Sequence, residues 1–352
     1  MPYKTALACL FALLSCGGAI ADGIGLSAPL SGPSTILGAQ MRDGALAAEA
    51  GIPVSLGDDA CTKEGGAAVA NQFVDAKVSV AVGYLCTEAI EAALPILKAA
   101  GIPVVAVGVR ADSLTDRRDK TGWPVFRAGP RADAERNAAA AILTKLWRDD
   151  LFAIVDDGTI YGREMAETFR AAAELVALKP VFVDTYRPEM DNQIALVGRL
   201  RKAGATRVFV GGDLGDAAIM GRDAAKLGVP LTIAGGETLR GAPGDPTLPD
   251  GTLMIALPEW ADVADKSAVE AIRARGAEPE GYALPAYAAV QIAAAAIRQA
   301  ADTGKSVAQT IAEGTFATAL GEIRFDAKGD LAQNPYRLFR FADGAFHPEA
   351  TP

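Results

Sequence analysis

The side chains best suited to binding chemistry sit where apolar, strand-like runs give way to helical patterns. Thr87 stands in Cys86-Thr87-Glu88-Ala89, at one such junction. A hydroxyl beside free backbone N–H groups at a helix N-terminus suits a carboxylate, through hydrogen bonds and the helix dipole. Simple capping of the helix suits the same residues. Glu237 follows Ala234-Gly235-Gly236 at the end of another strand-like run; there it either pairs with a ligand ammonium or remains a solvated loop acid. Tyr161, ahead of the helix-opening Gly162, and Tyr282, in Gly281-Tyr282-Ala283-Leu284, either wall a cleft or fill a core. Gly211-Gly212-Asp213 joins a strand to a helix, as a phosphate turn or a plain tight turn. The pairs Asp58-Asp59 and Asp156-Asp157 end strands, where carboxylates do acid and base work, cap helices or face solvent.

Several chemistries are excluded. The chain contains no GxSxG elbow, no GxxxxGK[ST] phosphate loop and no HExxH pair. Its one histidine, His347, removes Ser-His-Asp triads and multi-histidine metal sites. With a formal charge of -9 and no stripe of Lys and Arg, nucleic acid is not a partner. No metal or organic cofactor is implied.

These residues need a scaffold, and 352 residues at 50% hydrophobic content suggest two lobes rather than one core. Apolar, β-branched runs at 23–30, 52–59, 78–85 and 102–109 alternate with helical patterns at 38–50, 64–76 and 88–100. A second series opens near Val125, with strands at 151–158, 180–186, 206–213, 230–236 and 251–258. Helices at 131–147, 162–177, 191–203 and 215–227 accompany it. Each series supports a doubly wound parallel sheet, and ligands of such sheets bind beyond the carboxyl ends of the strands. The last third breaks the alternation, with helical patterns at 267–275 and 282–302, then strands around polar turns over 319–346. If the chain recrosses between lobes, those helices complete the first lobe and the final strands the second.

Residues 1–21 read as an export signal: Lys4, an apolar segment from Ala6 to Leu14, and the small-residue ending Ala19-Ile20-Ala21 before Asp22. Leu13-Leu14-Ser15-Cys16 offers a competing lipoprotein cut before Cys16. After cleavage at Asp22, 33 basic residues face 43 acidic ones, and only Cys61 and Cys86 remain. In an exported chain they form a disulfide worth about 3 kcal/mol in the chain-entropy model, or else stay as two buried thiols.

From Asp22 onward the sequence resembles the type I periplasmic substrate-binding proteins of ABC transporters, in particular the leucine/isoleucine/valine-binding group. The likeness is collinear over the mature chain. It rests on APLSGP (28–33), DDAC (58–61) with AAVANQFV (67–74), VGYLCTEA (82–89), GIPVV (101–105), IVDDGTIYG (154–162), VFVGGD (208–213), AGGE (234–237), YAAVQ (287–291) and FDAKGDL (325–331). The resemblance implies an α/β fold of two doubly wound, Rossmann-like lobes joined by a three-crossing hinge and closing on a small ligand. Residues 22–127 with 260–328 would form the N-terminal lobe, and 128–259 with 329–352 the C-terminal lobe. It also implies a Cys61–Cys86 bridge, a ligand carboxylate on Thr87 and an ammonium on Glu237. Tyr161 and Tyr282 would line the cleft, and the stretch Gly108-Val109-Arg110 would complete it.

The departures concern specificity. Arg110 replaces a small hydroxyl residue, Asp213 an aromatic, and Leu37 a tyrosine. An inward guanidinium at 110 would repel an ammonium and attract a second carboxylate. Alternatively, Arg110 and Asp213 compensate each other across the cleft, or Arg110 turns to solvent toward Asp112. The implied protein is a monomeric, periplasmic, non-catalytic subunit of an ABC importer that partners a membrane permease; the alternatives are a sensor that uses the same lobes to report ligand to a signalling receptor, and a hydrolase acting on amides or esters in the cleft. The importer subunit binds an amino acid or another organic acid. Thr87→Ala should weaken binding of that acid by about 1–2 kcal/mol through the lost hydrogen bond; unchanged affinity in calorimetry would remove Thr87 from the site.

Overall fold

The computed structural model describes residues 23–242 and 244–350. The export signal, its cleavage before Asp22 and the alternative at Cys16 lie outside the described residues. The first half runs β1 (Ile24–Ala28), α1 (Thr35–Ala47), β2 (Val54–Asp58), α2 (Lys63–Asp75), β3 (Val80–Gly83), α3 (Thr87–Ala99) and β4 (Val104–Ala106). Two single-turn helices, α4 (Ser113–Asp116) and α5 (Arg118–Thr121), precede β5 (Val125–Arg127). The strands form a parallel sheet in the order β2-β1-β3-β4-β5. Every residue of β1, β3, β4 and β5 is buried, because helices cover both faces, and this explains the continuous apolar runs. The segment near Val125 does not open a second sheet. Val125 pairs with Val104, so β5 closes the first sheet by occupying the edge that β4 would otherwise expose.

The chain continues with α6 (Ala134–Leu146), β6 (Phe152–Asp156), α7 (Ile160–Leu175), β7 (Phe182–Thr185), α8 (Ile194–Ala203), β8 (Arg207–Gly211), α9 (Leu214–Lys226), β9 (Thr232–Gly235), a 3-10 turn over Glu237–Arg240, and β10 (Leu253–Ala256). The final stretch is α10 (Trp260–Val263), α11 (Lys266–Ala274), α12 (Ala283–Thr303), α13 (Val307–Glu313), β11 (Thr315–Thr318), β12 (Gly321–Arg324), β13 (Arg337–Ala342) and β14 (Ala345–Pro348). The second sheet has the order β14-β13-β10-β9-β8-β6-β7, with β13 and β14 antiparallel at one edge. Helix α13 escapes the apolar periodicity, although its reciprocal Ser306/Gln309 capping box is a sequence signal for a helix start.

The apolar core divides by face. Helices α1 and α12 cover one side of the first sheet, and α2 and α3 the other. Helices α6 and α7 cover one side of the second sheet, and α8 and α9 the other. The chain passes between the two bodies at 127–134, again at 256–266, and finally at 324–337. Helix α12 is rich in buried alanine, so neighbouring backbone comes very close. A Cβ on Gly44 of α1 would lie 1.8 Å from the Ala283 carbonyl oxygen, and one on Gly66 of α2 would lie 2.1 Å from that of Ala89. Backbone cannot yield as a flexible side chain would, so Gly44→Ala should destabilise the protein by about 1–3 kcal/mol. A urea midpoint equal to wild type would show that α1 and α12 do not meet this closely.

Candidate ligand site

In a parallel sheet all carboxyl ends lie on one edge, so the loops that follow the strands collect there. The loop after β3 carries Cys86 as the residue capping α3, and a disulfide joins it to Cys61 at the entrance to α2. Beneath the bridge, the buried Asp59 accepts from Ser27 Oγ at 2.7 Å and from the Cys61 amide at 3.0 Å. Burial raises the Asp59 carboxyl above its ordinary value despite these hydrogen bonds. Asp58 accepts from the Leu30, Ser31 and Ala60 amides, so both acids of this pair build the turn. Thr87 is the half-buried first residue of α3. Among the described residues, neither its hydroxyl nor the amides of residues 87–89 find an acceptor or donor partner within the protein.

The loop after β4 carries Gly108 and Arg110. A Cβ at 108 would lie 2.6 Å from Leu85 Cδ1 and 3.3 Å from Tyr282 Cε1, so only glycine lets these walls meet. Arg110 Nη1 donates to Tyr336 Oη at 3.2 Å. Asp112 pairs with Arg131 at 3.4 Å and Arg136 at 4.0 Å instead of turning to Arg110. Two buried groups fix this loop. Arg127 donates to the carbonyls of Val109 and Ala111, on either side of Arg110, and to Asp330 at 2.9 Å. Asp330 belongs to the third crossing, whose far end carries Tyr336.

On the second sheet, Glu237 opens the 3-10 turn after β9. Its amide donates to Glu135 Oε1 at 2.7 Å, and Tyr161 Oη donates to the same oxygen at 2.7 Å. Gly236 is required between them, since a Cβ there would stand 2.1 Å from Tyr161 Oη and 2.3 Å from Glu135 Oε1. Burial and the nearby Glu237 raise the Glu135 carboxyl, against the hydrogen bonds it accepts. Burial and Glu135 raise Tyr161, which stays protonated. The Glu237 carboxylate accepts from Tyr336 Oη at 3.4 Å and faces Arg240 at 3.5 Å. A chain of contacts therefore runs from Arg110 on the first body through Tyr336 on a crossing to Glu237 on the second.

Arg110, Glu237 and Tyr282 line one cavity of about 330 Å³ beside the first two crossings, together with Arg240, Pro258 and Trp260. Thr87, Gly108, Tyr161 and Asp213 are not among its lining residues. Thr87 lies just beyond Leu85, the neighbour of Gly108, and Tyr161 lies behind Glu237. Asp213 is exposed and caps α9 by accepting from the Asp216 amide at 2.9 Å; it forms no pair with Arg110. Residue spacing alone missed Tyr336, Glu135, Arg240 and Trp260. Glu135 lies inside a regular helical pattern, and Tyr336 in a crossing with no periodicity, so neither carried a local signal. Among the described residues no group of three or more His, Cys, Asp or Glu is arranged to hold a metal ion.

A family model described as periplasmic binding protein matches residues 23–345. The chain is 31% identical over 357 residues to Leu/Ile/Val-binding protein homolog 2 of Brucella abortus, covering 96% of this chain and 95% of that one. Among solved structures, an ABC transporter substrate-binding protein from Desulfitobacterium hafniense in complex with Leu matches with a TM-score of 0.64 and 22% identity, over 93% of this chain and 99% of that one. A solute-binding protein of an R. palustris ABC transporter, in complex with 4-hydroxybenzoate, matches with a TM-score of 0.60 and 16% identity, over 93% of this chain and 95% of that one. At these identities the two structures show a shared fold.

Beside Asp213 lies an acidic corner with a measurable consequence. Asp216, 2% exposed, accepts from the Glu189 amide at 3.0 Å, while its other oxygen and the buried Tyr186 hydroxyl have no partner among the described residues. Burial first, and the Asp213 charge second, push the Asp216 carboxyl up to about 6. The folded chain therefore holds this proton more tightly than the unfolded chain. Stability falls as pH rises from about 4 through 6, and the cost is fully present above that range. Asp216→Asn keeps an acceptor for Glu189 and removes the charge. It should raise stability by on the order of 1–3 kcal/mol at pH 8, with the gain vanishing near pH 4. Thermal unfolding at both pH values checks this, and a pH-independent difference would contradict it.

Proposed function

The chain belongs to the periplasmic binding protein family, and on that premise we propose that it is the extracytoplasmic solute-binding subunit of an ABC importer, capturing a small carboxylate-bearing solute by lobe closure. The observation that carries this reading is the cavity beside the first two crossings, where Arg110 and Tyr282 of one body face Glu237 of the other. The lobes comprise 22–127 with 260–328, and 128–259 with 329–352, so closure is a rotation about the segments that join them. The ligand's differential affinity for the closed form supplies the driving free energy, and the permease reads that closed form.

The free amides at the start of α3, with Thr87 Oγ1, form a docking point for a carboxylate, aided by the helix dipole. Glu237 takes an amino group where the ligand has one, and Tyr282 shapes the wall, with Gly108 packed against it and Tyr161 supporting the opposite side through Glu135. Asp213 borders the outer part of the cleft. The oxygens of Asp58, Asp59 and Asp157 are engaged by turn amides, and this supports binding without turnover. The Leu/Ile/Val name of the Brucella relative and the leucine and 4-hydroxybenzoate of the two structures all concern small organic acids.

A thermal-shift screen of the mature chain against amino acids, dicarboxylates, aromatic acids and amides tests the reading. A true ligand at about 100 times its dissociation constant adds about 2.7 kcal/mol of apparent stability, and the transition should move up accordingly. No shift with any of the four classes would overturn the assignment to small organic acids.

A further inference from the structure

Resting on the solute-binding reading, we infer that Arg110, steered by Tyr336, is the docking point for a second anionic group, so that the solute is a short dicarboxylate, with or without an amino group. The first support is charge placement within the cavity. Arg240 is matched there by Glu259 at 2.9 Å and Glu237 at 3.5 Å. Arg110 is exposed, and among the described residues its side chain makes one hydrogen bond and takes part in no ion pair. A guanidinium carries several N–H donors in a planar fork that fits a carboxylate, so most of its binding capacity is unspent and turned to the cavity.

The second support is the role of Tyr336. This residue is 5% exposed, and its hydroxyl is committed in both directions, accepting from Arg110 and donating to Glu237. It therefore holds the guanidinium in place and stands between Arg110 and Glu237, keeping them from collapsing onto each other. The third support is the shared sheet edge. Gly83 pairs with Ala106, and beyond these partners the chain enters the loops that lead to Thr87, at the start of α3, and to Arg110. The two anion-accepting points therefore follow neighbouring strands at the same edge of one sheet. Near Arg110 the cavity wall is Tyr282, Pro285 and Trp260, with Leu85 packed against Gly108, suited to a short carbon chain. An aliphatic side chain placed there would strip water from the guanidinium and return no partner, which disfavours a plain aliphatic amino acid.

Calorimetry with succinate, glutarate, L-glutamate, L-leucine and benzoate on the mature protein tests this, using wild type, Arg110→Ala, Arg110→Lys and Tyr336→Phe. At least one dicarboxylate should bind wild type ten-fold or more tighter than leucine and benzoate. Comparing glutarate with glutamate separates a ligand that uses Glu237 from one that does not. Arg110→Ala should abolish the preference, and Arg110→Lys should recover part of it. Tyr336→Phe should lower the ratio of dicarboxylate to leucine affinity several-fold, whereas a merely structural role would weaken both alike and leave the ratio unchanged. Leucine or benzoate binding tighter than every dicarboxylate would overturn the inference and leave the solute-binding reading standing. A folded wild type that binds none of the five would also overturn it, with the four-class screen deciding the broader reading separately.

Discussion

The buried pairing of Arg127 with Asp330 is the interaction on which the site depends. Both residues are withdrawn from water, at 0% and 4% exposure, so either charge alone would be strongly destabilising. The pairing is tolerable because every direction is satisfied: Arg127 also reaches Thr115 Oγ1 and the carbonyls of Val109 and Ala111, and Asp330 also takes Thr115 and Arg131. One guanidinium thereby fixes the loop that aims Arg110, the first crossing and the third crossing that delivers Tyr336. If the pair loosened, the cavity would lose its shape from both sides.

The site follows from that anchor and from the direction of the strands. Parallel strands send their loops to one edge, so Thr87, Gly108 and Arg110 follow strands of the first sheet and Tyr161, Asp213 and Glu237 follow strands of the second, and of these Arg110 and Glu237 meet at one cavity. Close contacts then hold each rim still. The Cys61–Cys86 bridge ties the start of α3 to the α2 turn, and the absence of side chains at Gly108 and Gly236 lets Tyr282 and Tyr161 approach. The electrostatic arrangement is asymmetric: Glu135 is half-buried behind Glu237, while the Arg110 side chain makes one contact, to Tyr336. An uneven arrangement of this kind suits a protein that must distinguish acids by their second functional group.

Much of the scaffold was legible because it is local. Buried parallel strands appear as unbroken apolar runs, helices appear at their own spacing, and Cys61 and Cys86 meet in one bridge. Glu237 and Tyr282 were legible as cavity residues since each follows a strand or opens a helix, where such residues gather. For the pair Asp58-Asp59 and for Gly211-Gly212-Asp213, strand-end position leaves chemistry and plain turn-building both open. Asp58-Asp59 build a turn and Asp213 caps α9, an outcome set by hydrogen bonds that no spacing displays.

By itself the sequence determined the class of fold, the family, the alternation of elements and the strand ends at which binding residues would collect, because each is written within a few neighbouring positions. Only the tertiary structure decided that β5 belongs to the first sheet, and that Glu135 underlies Glu237. It alone also joined Arg110 to Glu237 through Tyr336, 226 and 99 residues away along the chain. Those contacts join segments far apart in sequence, and their geometry exists only once the two sheets and three crossings have packed around a shared buried charge pair.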